Sequence, residues 1–150
     1  MKNIKKIVKN KYFKYFVVIA WMIVIFMFSN DIAAVSDNKS NFIINILNNL
    51  GINLEDIFKN YDEFVVRKTA HFTEYFILCI LLINILKEDF KLKNAVILAI
   101  AFTFLYSCTD EVHQLFIPGR EGKIRDVLLD TSGGIFGSLV TLMFIKKHQN

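Results

Sequence analysis

The sequence predicts an all-α integral membrane protein: a four-helix bundle with an outward-facing amphipathic helical segment between spans 1 and 2. Three observations predict it. Of the 150 residues, 54% are hydrophobic and 14% aromatic, too apolar for a soluble domain of this size. The apolar residues gather into four long runs. Those runs lack strand-like alternation, and within lipid only helices or closed barrels satisfy every backbone polar group. The single proline and six glycines exclude a linker-rich or disordered chain, so 1–150 reads as one membrane domain.

The first span covers about 12–30, around the unbroken run YFVVIAWMIVIFMF bounded by Lys14 and Ser29. A bilayer core is about 30 Å thick and needs roughly 20 helical residues, so the run crosses only with its polar ends. A signal peptide is the rival reading, with Ala34, Val35 and Ser36 as a passable cleavage site. The lysine-rich start and the bulky aromatic run favour a retained anchor.

In the segment that follows, Phe42, Ile43, Ile46, Leu47 and Leu50 fall on one helical stripe, with Asn41, Asn45, Asn48 and Asn49 mostly opposite. Gly51 suits a helix stop, and Asp56 is placed for a capping contact in a short helix after Asn53. This segment is expected to lie on the outer membrane surface, to lid the bundle, or to do both.

The second span, about 67–86, is interrupted by His71, Thr73 and Glu74. The third, about 94–114, reaches spanning length only by continuing through Asp110 and Glu111. The fourth, about 127–145, contains Asp130. In it, Gly133 with Gly137 and Gly134 with Ser138 are small pairs four residues apart, suited to close helix approach.

Lysines set the expected orientation. Lys2, Lys5, Lys6, Lys9, Lys11 and Lys14 precede the first span, Lys87, Lys91 and Lys93 link the second and third, and Lys146 and Lys147 follow the fourth. Eleven of the 18 basic residues therefore crowd one side, which the positive-inside rule makes the cytoplasm, with both termini there. The net charge of +4 is explained by membrane headgroups. No aromatic-basic platform for nucleic acid is present. Cys79 and Cys108 fall in apolar runs and read as buried thiols, not a disulfide pair.

The polar residues of the spans share one depth. With 1.5 Å of rise per residue, Asp110 lies about 24 Å above the cytoplasmic end of its helix, His71 and Asp130 about 22 Å, Ser29 about 21 Å and Glu74 about 18 Å. Independent surface charges would have no reason to agree. Ionisable residues inside a membrane usually line a cavity, pair or do chemistry. Lys68, His71, Glu74 and Tyr75 recur at helical steps; so do Asp110, His113 and Gln114, with Glu111 beside Gln114. Pro118-Gly119 marks a turn before Arg120, which can grip a phosphate or carboxylate, or pair with Asp126 or Glu111.

The motifs Arg67-Lys68-x-x-His71-Phe72-x-Glu74-Tyr75, Asp110-Glu111-x-His113-Gln114-x-Phe116-x-Pro118-Gly119-Arg120 and Asp126-x-x-x-Asp130-x-x-Gly133 with Gly137, in that order, resemble the VanZ-like family of bacterial membrane proteins. The Phe28-Ser29-Asn30 exit from the first span also fits, although Asp31 stands where glutamine is expected. The resemblance covers most of the chain. It implies a small multi-span protein of the bacterial plasma membrane, related to a protein of teicoplanin (glycopeptide) resistance, with no established reaction.

Three readings of the site follow. In an enzyme at the outer face, Lys68, Tyr75, Arg120, Asp126 and Arg125 hold an anionic lipid or lipid-linked envelope precursor. His71, Glu74, Asp110, Glu111, His113, Gln114 and Asp130 then supply acid, base and proton transfer. In a binding protein the same groups hold a lipid, precursor or lipophilic glycopeptide without turnover. In a purely structural role, pairs such as Lys68–Glu74 and Arg120–Asp126 lock the helices. A transporter is disfavoured, because the chain halves do not repeat. Imidazole and carboxylate donors are available to a metal, but zinc spacings such as His-Glu-x-x-His are absent, so no metal ligands and no cofactor are assigned.

Overall fold

The computed structural model describes residues 10–147, except for the side chains of residues 55 and 60. Lys2, Lys5, Lys6 and Lys9 of the basic leader lie outside the described residues. Six helices follow one another: α1 (Lys11–Ser29), α2 (Ala33–Asn49), α3 (Leu54–Phe58), α4 (Asp62–Leu86), α5 (Leu92–Gln114) and α6 (Ile124–Lys147), with a 3₁₀ turn at Lys59–Tyr61. There is no strand among the described residues. Helices α1, α4, α5 and α6 are each long and apolar enough to cross a membrane. The fold is an all-α four-helix membrane bundle.

Helix α4 is the hub, packing on α1, α2, α5 and α6 and most extensively on α6. The reason lies in the small face of α6. A Cβ added to Gly133 or Gly137 would collide with the carbonyl of Phe72 or Phe76, and one on Gly134 would meet Thr103 and Cys79. Backbone therefore approaches backbone along α4–α6, as small residues allow. On the opposite flank α1 presents a narrow stripe: Val18, Ile25 and Ser29 are buried. Tyr75, Leu78 and Ile85 pack with Val18 and Ile25, and Cys79 and Ile83 pack with Ala99. Outward-facing side chains such as Phe16, Ile23 and Phe104 are exposed, as expected where lipid covers the surface. Cys79 is buried, Cys108 half-buried, and both are free thiols.

Helix α2 turns its apolar stripe differently from a simple lid. Ser36, Ser40 and Ile44 are its buried residues, whereas Phe42, Ile43, Ile46 and Leu50 are exposed. The small serine face docks on the bundle and leaves the apolar stripe free to meet lipid. Gly51 takes φ +84°, the left-handed conformation a helix stop uses. The Asn53 amide donates to Asp56 Oδ2 at 2.7 Å just beyond it, at the start of α3. Helix α4 begins several residues before the expected span, with Asp62 and Glu63 in its first turn, where the helix dipole favours acids.

Candidate functional site

The C-terminal ends of α1 and α5 and the N-terminal ends of α4 and α6 meet at one end of the bundle, and almost all the sequence-predicted residues gather there. Asp110 and Asp130 are buried, as are Glu111, Gln114 and Tyr75. Asp110 is braced on two sides. Ser29 Oγ donates to its Oδ2 at 2.7 Å, and the Gln114 amide donates to the same oxygen at 3.2 Å. Asp130 is braced on one side only, where Ser107 Oγ donates to Oδ2 at 2.7 Å.

The other half of the cluster is unbraced. His71 Nδ1 lies 3.8 Å from Glu74 Oε2 and 4.0 Å from Asp130 Oδ1, beyond hydrogen-bond distance. Among the described residues, His71 Nδ1, Glu74 Oε2, Tyr75 Oη and Asp130 Oδ1 are buried without a hydrogen-bond partner. Such atoms cost about 1–3 kcal/mol each when left unsatisfied, more for charged groups, and are rare in folded proteins. His71, Glu74 and Tyr75 lie on α4 and Asp130 on α6.

Around this cluster the loops supply cations. Arg120 Nε donates to the Asp31 carbonyl at 3.0 Å and Nη2 to the Phe28 carbonyl at 3.4 Å. These are carbonyls at the end of α1, where a cation complements the helix dipole. Among the described residues, no carboxylate forms an ion pair with Arg120. Its burial first, and the nearby Arg67 second, push its pKa down from the ordinary arginine value. Arg67 pairs with Asp37 of α2 at 2.8 Å, and Lys39 pairs with Asp31 at 2.5 Å. Asp31 thus anchors the α1–α2 corner through both its side chain and its carbonyl.

Two expected ion pairs are replaced by another. Lys68 pairs with Asp126 at 2.6 Å, not with Glu74, and Arg120 pairs with neither Asp126 nor Glu111. Six residues of helix separate Lys68 from Glu74 by about 240°, so the two face different neighbours. Glu111 accepts the Lys123 backbone N–H at 2.8 Å, which closes the 115–123 loop over the start of α6. His113 lies aside from the cluster, stacked on Phe26 at 4.7 Å with Nε2 at 3.2 Å from Asn30 Oδ1. Arg125 is exposed.

Sequence reasoning assigned no site role to Ser107 or to Arg67, which lines both spaces beside the cluster. For Ser107 the signal was available: Thr103, Ser107, Asp110 or Glu111, and Gln114 step along α5 at helical spacing, and all are buried.

Two spaces open onto the cluster. A chamber of about 190 Å³ is lined by Asp31, Lys39, Arg67, His71, Glu74 and Arg120. A vestibule of about 180 Å³ on its other side is lined by Lys68, Gln114, Lys123 and Asp126, and shares Arg67, His71 and Arg120. An apolar trough of about 480 Å³, walled by Trp21, Leu47, Val66 and Ile77, reaches the chamber at Glu74. Among the described residues, no three His, Cys, Asp or Glu side chains are grouped to hold a metal ion.

Fold and site together define a multi-span membrane protein with a buried acid–histidine cluster beneath a ring of cations at one end. A model of the VanZ/LLP1 family matches residues 14–145, nearly the whole bundle, and the chain belongs to that family. No curated protein and no solved structure matches it.

Proposed function

We propose that this VanZ/LLP1 protein resides in the bacterial plasma membrane with both termini in the cytoplasm, and acts at the outer face on the headgroup of a lipid or lipid-linked envelope precursor. Its cellular role in this reading is in glycopeptide (teicoplanin) resistance. One observation carries it above the rest: His71 and Glu74, which carry unpartnered atoms, line a chamber that also holds Arg67 and Arg120 and is joined to an apolar trough. An amphiphile with an anionic head suits that division.

The chemistry follows from the separations. Arg67 and Arg120 hold the anionic head, as guanidinium groups hold phosphate. His71, between Glu74 and Asp130, takes the proton of an attacking water or hydroxyl as it adds to the headgroup ester. The same imidazole returns the proton to the oxygen that leaves. Asp110, held by Ser29 and Gln114, fixes the relative placement of α1 and α5 around this group.

A non-catalytic reading has its own support. Asp110 and Glu111 already serve helix and loop contacts, so the cluster doubles as a polar frame for a bound lipid or glycopeptide.

The protein reconstituted in phospholipid nanodiscs with a lipid-linked precursor separates the two. In Glu74→Gln the enzyme reading expects headgroup turnover to collapse while binding survives. A parent protein that binds but never turns over, with a graded affinity loss in the variant, leaves the binder. Teicoplanin susceptibility of cells carrying each variant supplies the cellular readout.

A further inference from the structure

Ile43, on the exposed stripe of α2, lines three cavities at once. The first is the chamber beside the cluster and the second the apolar trough of about 480 Å³. The third is an apolar groove of about 500 Å³, walled by Phe28, Val35 and Phe42. Both apolar spaces fall within the roughly 300–1,000 Å³ typical of ligand pockets. They are near-equal in volume, both adjoin the same chamber, and Ile43 borders all three.

We propose that the ligand is a diacyl glycerophospholipid, its phosphate on Arg67 and Arg120 and its two chains divided by Ile43 between trough and groove. This rests on the lipid-headgroup reading above and narrows it to one class.

The charges support the placement. Arg120 spends two of its five N–H donors on neutral carbonyls, and Arg67, paired with Asp37 at 2.8 Å, lines the same chamber. An anion between the two guanidinium groups accepts their remaining donors. His71 and Glu74, which carry unpartnered atoms, line the same chamber. A single long polyprenyl chain would fill one apolar space and leave the other without a tail. Two similar chains fill both.

The test is a titration of the full-length protein in mild detergent, read by native mass spectrometry. The probes are phosphatidylglycerol, its one-chain lyso form and a long polyprenyl phosphate. Phosphatidylglycerol is expected to bind at least about tenfold more tightly than the other two. Phe42→Gln in the groove and Leu47→Gln in the trough are each expected to weaken it several-fold. Phe42 is 66% exposed, so its substitution leaves folding intact.

Equal or tighter binding of the lyso form or the polyprenyl phosphate overturns the two-chain assignment. If Arg67→Gln still weakens whichever lipid binds, the headgroup reading survives that result. Failure of a folded protein to bind any of the three overturns both.

Discussion

The two ends of the bundle treat charge in opposite ways. At the end where α4 turns into α5, Lys11 meets Asp89 at 2.7 Å, both more than 40% exposed, and Lys14 meets Glu88. Beneath them the core is apolar, with Ile83, Ile85 and Ala99 buried. At the other end the acids are inside, and atoms of Glu74 and Asp130 lack partners. Paired charges near water cost the fold little. Unpaired ones within the bundle lower its stability, and helix packing does not require them. The difference teaches where the fold carries polar groups that helix packing alone does not explain.

The largest test of that contrast is Asp130→Asn with Glu74→Gln. If the cluster moves protons, headgroup turnover in nanodiscs falls by about 10²–10⁴-fold in each. The melting temperature in detergent is expected to stay level or rise, because an uncompensated buried acid has been removed. A drop in both together would mark the acids as structural.

Next in size is the helix contact that supports the site. Gly133→Val should destabilise the protein by about 1–3 kcal/mol or more, since its side chain meets the Phe72 carbonyl. Thermal unfolding followed by circular dichroism measures it. Ser107→Ala removes the one hydrogen bond to Asp130 and is expected to cost about 1–3 kcal/mol. Ser29→Ala should cost less, because Gln114 continues to donate to Asp110. The smallest effect belongs to the far end. Lys11→Ala breaks an exposed pair worth roughly 0.2–1 kcal/mol, a loss that added salt should mask.

Much of this was legible because the signals are periodic. Four apolar runs gave four helices, and the shared depth of His71, Glu74, Asp110 and Asp130 anticipated their gathering at one end. Local chemistry was legible too, as at Gly51 and at the Asn53–Asp56 contact. Pairings between elements were not. That Lys68 reaches Asp126 depends on the rotation of α4 against α6, which spacing along either helix leaves open. The same ambiguity put His113 in the cluster, whereas the helix turns it onto Phe26. Helix α2 shows a subtler limit. Its stripe of large apolar residues drew attention, yet Ser36 and Ser40 make the docking face, because lipid and protein compete for apolar side chains on equal terms.

The glycine face of α6 carries a last consequence. His71 and Glu74 ride on α4 and Asp130 on α6, and main chain abuts main chain just below them at Phe72 and Phe76. The spacing of these side chains is therefore gauged by peptide units, whose shape no rotamer can adjust. Even a single methyl group slipped into that seam would jack the imidazole and the carboxylate apart while every polar side chain remained unchanged.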